Sequence, residues 1–201
     1  MLIGLGLGPG DKELLTLRAV KLLKEADAVF VPGRIARDLI SDIRDAIVLE
    51  FPMTNDEAVI RQALERNADR MAAVALNGTA VLGIIGDPSF YSTFSRQCDI
   101  LAAKYPETEF SVEPGISSIT AFACRANLSI HGGFVVTDGA DPESLVLLKV
   151  KKPRKKVEEL RREGYTRFVL AERVFMEGER VYEGDDIPES SDYFSIMYAR
   201  K

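Results

Sequence analysis

The 201-residue chain has no tryptophan, one histidine (His131), two cysteines (Cys98 and Cys124) and no excess of basic residues. Each shortage closes a class of function. Two cysteines cannot build the disulfide framework of a small secreted domain, and nothing is spaced as paired zinc ligands, so the expectation is a reducing, cytoplasmic setting and no metal site. A single histidine excludes a two-histidine metal centre, and beside Gly132 and Gly133 it reads more simply as a polar loop residue than as an acid–base group. A formal net charge of -5 argues against a dedicated nucleic-acid partner. No apolar stretch reaches the roughly 18–20 residues that a membrane span requires. The apolar start, Met1 to Leu7, lacks a basic n-region and is too short for a secretory h-region. What remains, 46% hydrophobic and 28% charged residues, is an ordinary globular composition, and the length admits two compact lobes.

The apolar periodicity alternates strand and helix. Leu2 to Leu5 reads as a strand, followed by a helix whose apolar face is Leu15, Ala19, Leu22, Leu23 and Ala26, with Thr16 as its cap. Strands are expected at Ala28 to Val31, Ala46 to Phe51, Ala80 to Ile85 and Glu109 to Val112, with helices at Ile35 to Ile40, Glu57 to Leu76 and Phe94 to Lys104. Strands apolar across their whole width predict a parallel, doubly wound sheet covered on both faces. A domain boundary is expected near Glu113, giving lobes 1–113 and 114–201. The second lobe begins with a helix at Ser117 to Ala126. It continues with strands at Phe134 to Val136, Leu145 to Val150, Phe168 to Ala171, Arg180 to Tyr182 and Tyr193 to Tyr198, and one helix at Lys155 to Glu163, which predicts a mixed α/β sheet.

In a parallel sheet, ligands sit at the carboxyl ends of the strands, where three turns stand out. Gly4, Gly6, Gly8 and Gly10 invite a dinucleotide reading, but G-x-G-x-x-G started at Gly4 meets Pro9 in the third position, and started at Gly6 it meets Asp11. Pro9 removes a backbone donor and Asp11 adds negative charge, so the turn suits a cationic or zwitterionic ligand such as S-adenosylmethionine better than a pyrophosphate; a plain strand-to-helix turn is the other reading. Gly86-Asp87-Pro88-Ser89-Phe90-Tyr91-Ser92-Thr93-Phe94 places a carboxylate and flat aromatic surfaces at a strand end, or else a helix cap and core aromatics. Pro114-Gly115-Ile116-Ser117-Ser118 offers hydroxyls and helix amides to a carboxylate, or an ordinary N-cap.

Taken in order, these turns resemble the tetrapyrrole methylase family of class III methyltransferases over the whole chain. Gly6-Leu7-Gly8-Pro9-Gly10-Asp11-Lys12-Glu13-Leu14-Leu15-Thr16-Leu17-Arg18-Ala19, followed by Glu25-Ala26-Asp27, is similar to the family's first motif, Gly86-Asp87-Pro88 to its second and Pro114-Gly115-Ile116-Ser117-Ser118 to its third. Phe51-Pro52-Met53-Thr54-Asn55-Asp56 and the run after Gly86 resemble the branch that methylates carbon 20 of precorrin-2 or cobalt-precorrin-2, although the chain looks shorter than usual between Pro32 and Phe51. The resemblance implies a two-lobed α/β fold with S-adenosylmethionine in a trough between the lobes, S-adenosylhomocysteine as product, a tetrapyrrole substrate and a homodimer. It implies cofactor contacts from Pro9, Gly86, Asp87, Phe90, Tyr91, Ser92, Thr93, Ser117 and Ser118, and from Lys149, Val150, Ala171 and Glu172. Asp87 and Tyr91 are the candidate catalytic residues.

A polycarboxylate substrate needs local cations on an acidic protein. Arg34, Arg37 and Arg96, near the strand-end turns, are the candidates for substrate binding, and the planar guanidinium suits carboxylates. The crowded run Lys149, Lys151, Lys152, Arg154, Lys155 and Lys156 is either a second such patch or a solvated face. A dinucleotide-dependent oxidoreductase, a non-catalytic S-adenosylmethionine-binding protein, and a family member acting on another macrocycle carbon are the competing readings.

Overall fold

All five residues of the first strand, β1 (Leu2–Gly6), are buried, because the strand is covered on both faces. Leu2 shares a core with Met71 and Ala75 of helix α3 (Glu57–Ala75) and Leu101 of α4 (Phe94–Lys104). Ile3 and Leu5 point into the opposite core, with Ala19 and Leu23 of α1 (Leu17–Glu25) and Ala36 and Ile40 of α2 (Arg34–Ile40). The period-two alternation of the strand thus divides its side chains between two cores, each buried leucine contributing about 1.5–3 kcal/mol. The computed structural model describes residues 1–201, which divide into two compact units, Met1–Phe134 and Val135–Lys201.

The first unit is the expected parallel sheet. Its order is β3-β2-β4-β1-β5, with β2 at Ala28–Val31, β3 at Ile47–Val48, β4 at Ala80–Ile84 and β5 at Phe110–Glu113. The chain leaves β1 toward the β2 side and leaves β4 toward the β5 side. Right-handed crossovers in opposite directions put α1 and α4 on opposite faces, and the connections diverge at the carboxyl ends of the adjacent pair β1 and β4. Capping follows the sequence: the Thr16 hydroxyl accepts from the Ala19 amide at 3.0 Å, and Asp56 opens α3 by accepting from Ala58 and Val59.

Four local expectations are corrected. The strand predicted over Ala46 to Phe51 pairs only at Ile47–Val48, since the Glu50 carbonyl is taken by the Asn67 side chain at 2.8 Å and Pro52 has no amide to donate. Phe134 to Val136 forms no strand: its β-favouring side chains are exposed between the glycines at 132, 133 and 139. The strand expected from Tyr193 starts at Ser195, because the Asp192 carboxylate captures the Phe194 amide at 2.8 Å. The boundary falls after Phe134, not at Glu113; the Gly115 amide is bonded to Asp87, and helix α5 (Ser118–Arg125) stays with the first unit.

The second unit is a four-stranded sheet of order β6-β9-β7-β8, with β6 at Ser144–Leu148, β7 at Arg167–Glu172, β8 at Arg180–Glu183 and β9 at Ser195–Arg200. A mixed sheet was expected, yet every pairing is antiparallel. Strands β6 and β7 do run the same way, as the crossover through α6 (Pro153–Arg162) requires, but β9 inserts between them and opposes both. Val157 and Leu160 of α6 close the core over Phe168, Leu170, Met197 and Ala199. No helix is long and apolar enough to cross a membrane. Replacing Thr16 by alanine orphans the Ala19 amide and is expected to cost about 1 kcal/mol, read as a lowered urea midpoint; an unchanged midpoint would show that α1 does not depend on this cap.

Candidate functional site

Where the connections of β1 and β4 diverge, the two glycine-rich turns touch. The Gly86 amide donates to the Gly8 carbonyl at 2.7 Å and the Gly8 amide returns to the Gly86 carbonyl at 3.3 Å, a small antiparallel bridge beyond the end of the parallel ladder. The third turn closes on both. A β-carbon on Gly115 would lie 2.4 Å from the Gly86 carbonyl oxygen and 2.7 Å from the Gly6 α-carbon, while one on Gly6 would lie 2.3 Å from the Gly115 nitrogen. Only glycine permits this backbone-to-backbone approach. Gly86 itself has φ +82° and open space on its side-chain side, so the cradle is walled by main chain and open outward.

Asp87 ties the arrangement together. Its Oδ2 accepts from the Gly115 amide at 3.0 Å and its Oδ1 from the Ser89 amide at 2.8 Å. The carboxylate therefore clasps the third turn to the second while shaping the second. Ser92 is also engaged locally: its hydroxyl donates to the Pro88 carbonyl and accepts from the Phe94 amide at 3.2 Å, a capping duty that the nominal cap Thr93 does not perform. Phe90 and Tyr91 are exposed, and Tyr91 has a left-handed backbone, φ +48°. That conformation is uncommon for a bulky residue and recurs at ligand clamps. Pro9 is half-buried in the first turn, and the Asp11 carboxylate accepts from the Glu13 amide to start a single 3₁₀ turn at Lys12–Leu14. Ser117 caps α5 by accepting from the Ile119 amide at 3.3 Å, and Ser118 is exposed in its first turn.

The four candidates of the second unit also converge. Leu148 of β6 and Ala171 of β7 both face Ile196 of β9, so Lys149 and Val150 beyond β6 and Ala171 and Glu172 at the end of β7 share one edge of that sheet. Two hydroxyls, Ser191 and Ser195, donate to the Val150 carbonyl, and the buried Glu172 accepts from the Asp192 amide at 3.0 Å. The three arginines lie near the carboxyl edge of the first sheet, but Arg37 is paired with Asp38 at 2.7 Å and Arg96 with Glu57 at 2.7 Å, leaving Arg34 as the exposed one without an ion pair. His131 is exposed in an irregular segment. Burial, with a smaller contribution from Asp99, pushes the Cys98 thiol up to about 12, so it is no nucleophile.

Sequence reading missed the roles of three residues. Gly6 and Gly115 were read as motif members and not as contact points; a glycine just past successive strands was the available signal. Glu113, at the end of β5, receives Arg18 of α1 through Nη1 at 3.2 and 3.1 Å, and residues so far apart in sequence left no local signal.

A doubly wound sheet with glycine turns abutting at its switch point defines a small-molecule-binding α/β protein. The comparisons narrow this class. Residues 1–185 match the family of tetrapyrrole (corrin/porphyrin) methylases, and the chain belongs to that family. It is 31% identical to the "probable cobalt-precorrin-2 C(20)-methyltransferase" of Methanocaldococcus jannaschii, over 98% of this chain and 95% of that one. It is 28% identical to the precorrin-2 C(20)-methyltransferase of a Sinorhizobium species, over 78% and 76% of the two chains. Among solved structures, a cobalamin-synthesis-related protein of Corynebacterium diphtheriae shares the fold at a TM-score of 0.52, with 15% identity, covering 100% of this chain and 98% of that one.

Asp87→Asn keeps one acceptor oxygen and turns an NH2 group toward the other backbone amide, so one clasp bond is lost and a donor faces a donor. The expected result is a stability loss of roughly 1–2 kcal/mol by urea denaturation, with weakened binding of S-adenosylhomocysteine in a calorimetric titration. Wild-type values in both would show that the clasp is dispensable.

Proposed function

We propose that the protein is an S-adenosylmethionine-dependent C-methyltransferase acting on carbon 20 of precorrin-2 or cobalt-precorrin-2 in cobalamin biosynthesis. The observation that carries this reading is the match to a C(20)-methyltransferase over nearly the full length of both chains, in a member of the tetrapyrrole methylase family.

The first unit's own residues fit the cofactor. None of the three turns presents an arginine or lysine to a phosphate, apart from Lys12, whose ammonium is spent on Asp42 at 2.6 Å. Instead the turns offer the carboxylates of Asp11 and Asp87, a proline without an amide, exposed aromatic faces and the first turn of α5. These groups suit a molecule with a sulfonium, a carboxylate and a flat base, and no phosphate. When bound, S-adenosylmethionine supplies an electrophilic methyl group.

In this proposal Pro9, Gly86, Phe90, Tyr91, Thr93 and Ser118 of the first unit line the cofactor. Ser92 and Ser117 hold turn and helix start in shape, and Asp87 acts as a positioning residue through its clasp on Gly115. Arg34 is the arginine free to meet a substrate carboxylate. The bridging carbon of a reduced tetrapyrrole is enamine-like and already nucleophilic, so the chain's main task is alignment: placing that carbon about 3–3.5 Å from the methyl makes the displacement effectively unimolecular. The new carbon–carbon bond forms as the sulfur–methyl bond breaks, S-adenosylhomocysteine departs, and the methylated carbon loses a proton to a neighbouring acceptor.

The same proposal includes a cytoplasmic homodimer. The free, unpaired cysteines support the compartment, and the exposed apolar side chains of Phe110, Val112, Phe122, Leu128 and Ile130 support a second copy. Anaerobic incubation with methyl-labelled S-adenosylmethionine and precorrin-2, with and without cobalt, is expected to place one labelled methyl on carbon 20 by mass and carbon NMR. Transfer to another carbon, or none despite cofactor binding, would overturn the assignment.

A further inference from the structure

Beyond β6 the second unit carries a depression of about 370 Å³ lined by Leu147, Leu148 and Val150 together with Lys149, Lys151, Lys152, Lys155 and Lys156. No acidic residue occurs from Ser144 to Val157, although the chain as a whole has 31 acidic and 26 basic residues. Of the neighbouring cations outside this wall, Arg154 is neutralised by Glu189 at 3.0 Å and Arg161 by Asp185 at 2.8 Å. Within it, Lys156 pairs with Glu159, the one carboxylate that lines the depression, and Lys151, Lys152 and Lys155 make no ion pair. Like charges repel, and the unit gathers these ammonium groups around a single lining carboxylate.

The wall is fixed to the sheet. The Lys149 amide donates to the Ser195 carbonyl at 2.7 Å, the Ser191 amide to the Lys151 carbonyl at 3.2 Å, and both serine hydroxyls hold the Val150 carbonyl between them. Lys149 takes a left-handed backbone, φ +58°, an unfavourable conformation for a side-chain-bearing residue and one that bonds on either side over-determine. Beside it stands an exposed aromatic edge. The Tyr193 and Phe194 rings meet at 83° with centroids 5.3 Å apart, and the Lys149 ammonium lies 5.1 Å from the Tyr193 centroid. A hydrogen bond from Lys149, then its charge and more weakly that of Lys151, hold the Tyr193 hydroxyl below the usual tyrosine range.

Aliphatic lining, exposed aromatic rings and unneutralised lysines match an acid with an apolar body and several carboxylates. Lysine ammoniums on flexible stems adapt to unevenly spaced carboxylates, where arginine forks would demand one geometry. We propose that this lysine wall is an oligocarboxylate-binding site, with Lys151, Lys152 and Lys155 as its anion contacts and Tyr193 as its flat flank. Resting on the function proposed above, its ligand is the acid side chains at the rim of the tetrapyrrole.

The test uses the full chain and two probes. Mellitate, a benzene ring bearing six carboxylates, is titrated calorimetrically at low salt into the wild type, into Lys151→Ala/Lys152→Ala/Lys155→Ala, and into a control, Lys21→Ala/Lys24→Ala on α1. Binding by the wild type and the control, weakened about tenfold or more in the wall variant and abolished by added salt, is expected. In turnover, the wall variant is expected to raise the KM for precorrin-2 by about tenfold with kcat and S-adenosylhomocysteine affinity unchanged, and arginine at the three positions, which keeps the charge but not the adaptable stem, restores only part of the loss. Mellitate binding that is absent, or equal in the wild type and the wall variant, overturns the site. Selective mellitate binding with no wild-type turnover of precorrin-2 leaves the oligocarboxylate site standing and removes the functional reading beneath its assignment. The three lysines are exposed, so their loss leaves the fold intact, checked by far-UV circular dichroism and an unchanged thermal midpoint.

Discussion

The tightest constraint in the first unit is main chain packed against main chain. Gly6 at the last position of β1, and Gly86 and Gly115 just past β4 and β5, approach so closely that a β-carbon on Gly6 or Gly115 would collide with backbone atoms. Parallel strands make this possible, since β4, β1 and β5 are neighbours and all point their carboxyl ends the same way. The Gly8–Gly86 bridge and the Asp87–Gly115 bond then convert three independent turns into one rigid rim. Everything assigned to the cofactor in the first unit hangs from that rim: the Tyr91 strain, the capping role of Ser92 and the start of α5.

Charge is distributed with a comparable economy. On this net-acidic chain some cations are neutralised in place and others are spared. Arg37, Arg96, Arg154 and Arg161 are matched to carboxylates in exposed, solvent-screened pairs that add little to stability. Arg34 on the first unit, and Lys151, Lys152 and Lys155 on the second, are left without one. The pattern separates cations that fasten surface segments from cations available to a ligand, a distinction that residue type alone does not make.

Much of the architecture was legible because apolar periodicity and capping residues act locally. Thr16 and Ser117 cap the helices their positions foretell, and the failed spacing around Pro9 already told against a dinucleotide reading of the glycines. Long-range geometry was not legible. Nothing near β9 announces that it will lie between β6 and β7 and turn a mixed sheet into an antiparallel one. The clasp of Asp87 on Gly115 and the seating of Lys149 against Tyr193 join residues from separate stretches of chain, and the shortening of β3 depended on Asn67, a side chain on another element. The site's residue types could be read from the turns, whereas the distinction between positioning and contact needed coordinates.

Hydrogen–deuterium exchange with and without S-adenosylhomocysteine tests the glycine rim as a cofactor cradle most directly. The account predicts that added protection in the first unit concentrates in the turns from Gly8 to Asp11, Gly86 to Thr93 and Gly115 to Ser118, and leaves the amides of α3 unchanged. Bound S-adenosylhomocysteine that protects none of these three turns would contradict it.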